Sequence, residues 1–465
     1  MNLVLISLDT LRADRLRCYG HHRLTSPNID RVASEGALFE SHYSPHIPTY
    51  PGHTTMMTGR DVYAHQVTCQ SQAYLPTPGV PMLAEILKTA GYYTSAADNL
   101  GKWFTRGFDV YESYTWDTSL PEGWRKAEAV NETAMRVLRS AAAQSAPFFV
   151  FLHYWDAHTP YLPPRPFHRL FYTGDETSPE NRSMDRVWAC EEFRDYFREW
   201  MPDVTDIEFP KAQYDAEIAY MDTCLGHILN LLDDLRLSDD TLLVMTADHG
   251  EEFDEHGCWF DHHGLYETNT RIPLILRLPG AIRPGVRVPG LTRMTDLTPT
   301  IVDYLEVPTP DMVFDGRSLR PLIEDPQAAT SGICEAIHLT ENTWMKKRGI
   351  RTREWKLIRA LEPDLHGFAP IELYDMTHDP AERDNRAADR PDVVDALSEQ
   401  MDRHIAARVA AADLPDPLPL QPIPLRRIGK APAATKDTDR TIERSGDDKR
   451  PDGDFVGYVR DERTS

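Results

Sequence analysis

A chain of 465 residues has room for one large catalytic domain and a smaller extension. Its formal net charge of -23, from 73 acidic and 50 basic residues, argues against nucleic acid as a partner and remains compatible with a small anionic substrate held by local cations or a metal. Its apolar runs fall short of the roughly 18 to 20 residues that cross a bilayer, so we expect no membrane partner.

Three short apolar runs each end just before a cluster of polar residues: 2–8, 147–153 and 241–246. Such runs are typical of buried strands in a parallel sheet. Amphipathic helices are predicted between them at 26–35, 82–90, 127–142 and 214–235. The alternation predicts an α/β fold with a large, mostly parallel sheet sandwiched by helices.

The chain divides by composition into three parts. Residues 1–330 are expected to form the catalytic domain, and 331–412 a smaller C-terminal α+β subdomain with strand-like pieces at 349–359 and 371–375 and a helix from 391. Residues 413–465 are expected to be a Pro-rich arm followed by a charged, disordered tail. The arm is a candidate contact with a neighbouring subunit in a homo-oligomer.

The cellular location is predicted from the first residues and the cysteines. The chain begins without the basic start or small-residue cleavage site of a signal peptide, and its six cysteines are scattered without CxxC spacing. We therefore expect reduced thiols and a cytoplasmic location.

Polar side chains at two strand ends suggest a metal site. Asp9 follows the first run, and Asp248 and His249 follow the third. Strand ends of a parallel sheet meet at one edge, and carboxylates with one imidazole suit one divalent ion, with Mn²⁺ or Zn²⁺ favoured over Ca²⁺ or Mg²⁺. The alternative is that each aspartate only caps a following helix.

Thr49 is the candidate nucleophile and a fourth metal ligand. It opens the segment 49–60, TYPGHTTMMTGR, which could start a helix with a hydroxyl at its N-terminus. Metal coordination would favour the alkoxide, and the helix N-terminus would favour an anion. The alternative is an ordinary helix cap.

The order of motifs resembles the sulfatase branch of the alkaline-phosphatase superfamily over about residues 1–385. The matching segments are LISLDTLRADRLRCYG, TYPGHTTMMTGR, the pair 101–103 and 107–109, HYWDAHTPY, ADHGEEFDEHG, the pair 265–267 and 271–273, and ELYDMTHDPAERDN. The resemblance implies a metal-bound nucleophile, a covalent ester intermediate and cationic groups around a sulfate or phosphate. It assigns Asp9, Asp248 and His249 to the metal.

The same resemblance adds four residues around the substrate. Lys102 and His158 match positions that hold the anion or protonate the leaving group, and His262 stands where many members have lysine. His53 replaces the arginine of the nucleophile motif, and we include it among the catalytic candidates. The alternatives are a solvated lysine for Lys102, a loop histidine for His158 and a surface histidine for His262.

The nucleophile position departs from the sulfatase pattern. Sulfatases use a formylglycine made from Cys or Ser, whereas this chain has Thr49, so we expect no formylglycine. Thr10 and Phe104 replace a second acidic residue and a histidine. The segment 49–53 resembles the nucleophile segment of nucleotide pyrophosphatase/phosphodiesterases, where threonine attacks phosphorus.

The sequence therefore predicts a hydrolase that cleaves a phosphodiester or phosphonate monoester through a covalent intermediate on Thr49. A sulfuric ester hydrolase acting on a small sulfate ester is the alternative within enzymes. A catalytically silent binding protein or a phospho-group transferase is the alternative of another class. A small anionic ester is the expected substrate in either enzymatic case.

Overall fold

The computed structural model describes residues 1–71, 73–309 and 311–423. Within these residues the strands are β1 (Asn2–Leu8), β2 (Ala37–Tyr43), β3 (His46–Ile47), β4 (Tyr93–Ala97), β5 (Val110–Glu112), β6 (Phe148–Tyr154), β7 (Thr241–Thr246), β8 (Arg271–Ile272), β9 (Leu274–Arg277), β10 (Val286–Arg293), β11 (Ala336–Asn342), β12 (Lys346–Thr352), β13 (Trp355–Ala360) and β14 (Ile371–Asp375). The α-helices are α1 (Pro27–Glu35), α2 (Thr49–Thr58), α3 (Val62–His65), α4 (Leu83–Thr89), α5 (Lys126–Ala142), α6 (Asp185–Ala189), α7 (Glu191–Trp200), α8 (Glu208–Asp234), α9 (Glu267–Thr270), α10 (Leu297–Tyr304), α11 (Arg320–Glu324), α12 (Pro326–Ser331), α13 (Pro391–Ala412) and α14 (Pro417–Leu420).

The larger sheet has the strand order β10-β2-β9-β7-β1-β6-β4-β5, with β8 paired to β2. Strands β7, β1, β6, β4 and β5 run parallel to one another, whereas β9 runs antiparallel to both β7 and β2. Every residue of β1, β6 and β7 is buried, as expected of central parallel strands covered on both faces. The predicted fold class is confirmed.

Helices flank this sheet. Helix α5 packs on β4 and β6 and against α8, while α2 contacts α4 and α10. The predicted helices are present, and α8 begins at Glu208, six residues before its predicted start, because the polar first turns carry little apolar periodicity. In the described part of the chain, no helix combines the length and apolar character needed to span a membrane.

The smaller sheet has the order β14-β13-β12-β11-β3 and is antiparallel except for the pair β11 and β3. The piece predicted at 349–359 is a hairpin of two strands, β12 and β13. Helix α13 covers the sheet through a separate apolar cluster that includes Leu357, Leu397 and Met401. Strand β3 belongs to the N-terminal part of the chain and leads directly into α2, so the smaller sheet is joined to the nucleophile segment.

The described part of the predicted arm folds back onto its own chain. Residues 417–420 form α14, and Gln421 Oε1 accepts hydrogen bonds from the backbone N–H and the hydroxyl of Thr68 at 3.1 and 2.7 Å. Only residues 413–423 of the arm are described. The prediction of a disordered tail falls on 424–465, outside the described residues.

Candidate active site

Three adjacent parallel strands bring the predicted metal ligands together. β1 lies between β6 and β7, with Ser7 in register with His153 on one side and Thr246 on the other. Asp9 therefore emerges at the same sheet edge as His153 and as Asp248 and His249. Residues that are far apart in the sequence thus form one cluster, because their strands are neighbours in the sheet.

Asp9, Asp248 and His249 form a fully buried trio whose ligand atoms lie within 4.8 Å of one another. Asp9 Oδ1 and Asp248 Oδ2 have no hydrogen-bond partner, a costly arrangement for buried carboxylate oxygens that a cation would relieve. His249 Nδ1 donates to the Gly250 carbonyl at 2.9 Å, which leaves the lone pair of Nε2 free to bind a metal ion between this ring and the two aspartates. This donor set fits a divalent metal ion.

Thr49 is the first residue of α2, and its side chain reaches the trio. Thr49 Oγ1 lies 3.1 Å from His249 Nε2, and only 4% of the residue is exposed. The helix can begin here because Pro51 occupies the first turn, where its missing N–H is not needed. The hydroxyl thus lies at a helix N-terminus beside a candidate cation site, a setting that favours an oxyanion.

His53 lies one turn further along α2 and faces the protein interior. Its Nδ1 donates to the Thr49 carbonyl at 3.0 Å and is 3.5 Å from Asp248 Oδ2, while Nε2 accepts from the Ser7 hydroxyl at 2.9 Å. Both ring nitrogens are therefore engaged by protein atoms. A role in positioning Thr49 and Asp248 fits this geometry better than contact with substrate.

His153 belongs to the site, and we did not predict it from the sequence. Its Nδ1 is 2.7 Å from Asp98 Oδ1, and its Nε2 is 3.3 Å from Asp9 Oδ2. Burial alone would lower the pKa of His153, but the hydrogen bonds to both carboxylates raise it to about 10. A signal was present, since His153 ends the predicted strand 147–153, the same position in a strand that drew attention to Asp9.

Lys102 lies beside Tyr50, the residue that follows the candidate nucleophile Thr49. It begins a 3-10 turn, Lys102–Thr105, and its Nζ donates to the Tyr50 hydroxyl and lies 4.4 Å from the centre of the Tyr50 ring. The side chain is half-buried. The structure therefore brings the predicted anion-holding cation to the N-terminal end of α2, where Thr49 lies.

His158 and His262 lie next to each other and beside the trio. Their ring centres are 5.1 Å apart, and the His262 ring stacks on His249 at 4.7 Å. His158 Nδ1 donates to the Thr159 carbonyl at 2.8 Å, which leaves its Nε2 available. Burial lowers the pKa of His262 to about 3 in spite of the neighbouring Asp261, so this ring is neutral.

The two departures from the sulfatase pattern have structural counterparts. The backbone N–H of Thr10 donates to Asp248 Oδ1 at 3.3 Å, although its side chain cannot supply a carboxylate. The Phe104 ring packs against Tyr50 and His53, with centre distances of 6.0 Å to each, where an apolar wall replaces a donor. At these two positions the site therefore lacks the carboxylate and the imidazole expected from the sulfatase pattern.

Two family models match the chain. The model described as Sulfatase matches residues 1–307, and the model described as N-sulphoglucosamine sulphohydrolase, C-terminal, matches residues 254–408. The first covers well over half of the chain and contains all the predicted site residues.

Individual relatives agree with these matches. The chain is 26% identical to mouse iduronate 2-sulfatase over 61% of this chain and 60% of that protein, so the match spans less than two thirds of this relative. It is 24% identical to an N-acetylglucosamine-6-O-sulfatase of Bacteroides thetaiotaomicron over 83% of this chain and 82% of the relative. Among solved structures, the phosphonate monoester hydrolase of Agrobacterium radiobacter shares the fold with a TM-score of 0.69 and 24% identity, over 88% of this chain and 96% of that chain.

Proposed function

Because the chain belongs to the sulfatase family, it is a hydrolase of ester bonds, and we propose that it cleaves phosphodiester or phosphonate monoester bonds with Thr49 as its nucleophile. The observation that carries this proposal is the position of the Thr49 hydroxyl, at the start of α2 and 3.1 Å from the metal-site residue His249. The sulfatase pattern that the sequence resembles has a formylglycine precursor at this position, which threonine does not replace. A threonine alkoxide is a competent nucleophile toward phosphorus.

Members of this family bind a divalent metal ion, and Asp9, Asp248, His249 and Thr49 would hold it here. When bound, it would supply positive charge that favours the Thr49 alkoxide and the developing charge on the substrate oxygens. The choice of Mn²⁺ or Zn²⁺ remains a prediction that rests on the single imidazole in the donor set. His153 would hold the Asp9 carboxylate ionised and oriented, because burial favours the neutral acid and the hydrogen bond from His153 reverses that effect on the Asp9 pKa.

In the proposed first step, Thr49 Oγ1 forms a bond to phosphorus while the bond from phosphorus to the leaving oxygen breaks. The Thr49 hydroxyl proton passes to solvent as the alkoxide forms, and the leaving oxygen takes a proton from His158. His158 Nε2 is not committed to a protein partner, since Nδ1 holds the hydrogen bond to Thr159. Lys102 would bind a non-bridging oxygen, because its ammonium group lies beside Tyr50 at the nucleophile end of the helix.

In the second step, water attacks phosphorus in line with the Thr49 oxygen, which leaves as the alkoxide and recovers its proton. The products are the free enzyme, the leaving alcohol and a phosphate monoester or phosphonate. His158, which gave up its proton in the first step, accepts a proton from this water, and the neutral His262 ring stacked on His249 lies beside it.

A sulfuric ester hydrolase is the second candidate, and the names of both curated relatives favour it. That enzyme would have to attack sulfur with a threonine alkoxide. A silent binding protein or a transferase is the third candidate. The two unpartnered carboxylate oxygens of the buried trio disfavour a silent protein, since they carry a desolvation cost that a bound cation would offset.

Initial rates on matched nitrophenyl esters (phosphodiester, phosphonate, phosphate monoester and sulfate) test the proposal when the metal-loaded protein is compared with Thr49→Ala. We expect the diester or phosphonate to be the fastest and Thr49→Ala to lose at least about 1,000-fold in kcat. Thr58→Ala is the matched control, because Thr58 is a buried threonine of the same helix. Its hydroxyl donates to the Thr54 carbonyl and accepts from the Arg60 N–H, away from the metal-site residues. It should retain activity.

Acid quenching during turnover and peptide mass spectrometry complete the test. We expect a phosphoryl or phosphonyl adduct on Thr49. An adduct on another residue, or an active Thr49→Ala protein, would overturn the nucleophile assignment. A sulfate ester turned over fastest, with Thr49→Ala inactive, would establish the second candidate, and an unchanged rate in Asp248→Asn would favour the third.

A further inference from the structure

A second cluster of ligand-type side chains lies outside the candidate active site. Cys258, His263 and His366 place one sulfur and two imidazole nitrogens within 4.8 Å of one another. Cys258 and His263 are fully buried, and His366 is half-buried. The first two lie in the loop between β7 and α9, and His366 lies more than 100 residues later, in the loop between β13 and β14.

We propose that Cys258, His263 and His366 bind a thiophilic divalent cation, with Zn²⁺ as the expected ion. A thiolate and two imidazoles are the donors that zinc prefers, in contrast to the oxygen-rich trio around Asp9. The inference does not depend on the proposed function, since none of the three residues belongs to that trio.

The distances between the nitrogens suit one shared ion. His263 Nε2 and His366 Nε2 are 2.8 Å apart. Two nitrogens bound to one tetrahedral zinc at about 2.0 to 2.1 Å lie about 3.3 Å apart. Binding therefore requires the nitrogens to separate by about 0.5 Å and the two rings, whose planes differ by 13°, to tilt toward a common ion. In the ion's absence one ring must donate a proton to the other, and a bare hydrogen bond between the two rings is the competing interpretation.

The surroundings of the cluster support a cation. Asp261 Oδ1 lies 3.4 Å from His263 Nδ1, the far ring nitrogen, where carboxylates commonly orient metal-bound histidines. Glu341 is fully buried, and its Oε1 accepts from the Gly264 N–H at 2.8 Å, while its Oε2 has no partner. A cation held by Cys258 and the two histidines would offset part of the cost of burying this carboxylate.

A cation here would join two parts of the chain that meet beside the active site. The loop with Cys258 and His263 also contains His262, whose ring stacks on His249. The loop with His366 belongs to the smaller sheet. Bound metal would fix the first loop against the second and so hold His262 in place, which is the role of a structural rather than a catalytic ion.

Cobalt(II) loading of the full-length protein tests this site without an activity assay. A sulfur-to-cobalt charge-transfer band in the near ultraviolet reports a thiolate ligand, and the trio of Asp9, Asp248 and His249 has none. We expect the band in the wild-type protein and in Asp248→Asn. We expect its loss in Cys258→Ser and His366→Ala, and its retention in Cys224→Ser, which removes another buried thiol.

Metal analysis after Zn²⁺ loading should give one ion per chain more in the wild-type protein than in His366→Ala. His366 is half-buried in a loop, so this variant serves if Cys258→Ser does not fold. Absence of the band, its persistence in Cys258→Ser, or equal zinc content in the wild-type and His366→Ala proteins would overturn the proposal and leave a histidine pair joined by a hydrogen bond.

Discussion

Replacing Gly52 with alanine is expected to weaken metal binding at Asp9, Asp248 and His249 without unfolding the protein. Gly52 lies in α2, one turn after Thr49, where the helix passes directly over the strand end of β7. A Cβ atom at this position would lie 2.9 Å from the Asp248 carbonyl oxygen and 3.4 Å from Asp248 Cβ. The new methyl group must therefore displace the backbone of a metal-ligand residue.

The size of the effect follows from these distances. Ordinary contact requires about 3.4 Å, so Asp248 must move by about 0.5 Å, whereas ligand positions in a metal site hold to within about 0.2 Å. Such a disturbance costs about 10- to 100-fold in metal affinity, or about 1.4 to 2.8 kcal/mol. Overpacking costs about 1 to 3 kcal/mol of stability, and the better helix propensity of alanine returns up to about 1 kcal/mol, so the fold survives.

Calorimetric titration measures the affinity of the site at Asp9, Asp248 and His249. Mn²⁺ is the ion to use, because it prefers oxygen and nitrogen ligands to the sulfur of the cluster that contains Cys258. Gly226→Ala is the matched control, since Gly226 also lies within a helix, α8, and the three atoms nearest to its added Cβ all belong to the side chain of Asn28, the nearest at 3.0 Å. Its Mn²⁺ affinity should equal that of the wild type. Wild-type affinity in Gly52→Ala would refute the argument that this close approach controls the position of Asp248.

Three further outcomes are expected. Glu267→Gln should lower the free energy of unfolding at pH 7 by about 1 to 3 kcal/mol in urea titrations, because the fully buried Lys356 loses the carboxylate 3.0 Å away while keeping that of Glu382 at 2.7 Å. Burial alone would raise the pKa of Glu267, but Lys356 and nearby arginines hold it below its usual 4.5. The stabilisation is therefore present above pH 4.5 and is lost as the pH falls below it. The free energies of unfolding of the two proteins should become equal in acid, and a difference that stays constant with pH would contradict the ion-pair account. Lys102→Met should lower kcat/KM by about 10- to 100-fold with little change in melting temperature, because a charge-assisted hydrogen bond to the substrate is lost; unchanged kinetics would remove Lys102 from the site. Removal of metal with a chelator should abolish turnover until Mn²⁺ or Zn²⁺ is restored, and residual activity in the metal-free protein would argue against a metal-assisted nucleophile.

The site shows how far residue pattern alone can lead. Asp9, Asp248 and His249 were predicted from their positions after buried strands, and the sheet does bring them together, because the ends of adjacent parallel strands must meet at one edge. Their roles in catalysis, like those of Thr49, Lys102, His158 and His262, remain predictions. For His53, neighbouring protein atoms engage both ring nitrogens, a detail that spacing within a helix does not reveal.

Sequence by itself determined the α/β class, the buried central strands and the family, because apolar periodicity and strand-end motifs are local properties that survive without knowledge of the chain path. Tertiary structure alone decided that His153 bridges Asp9 and Asp98, that β3 joins the smaller sheet, and that His366 meets Cys258 across more than 100 residues of chain. Such contacts depend on how loops and strands are brought together in space, and local patterns of hydrophobicity do not specify that arrangement.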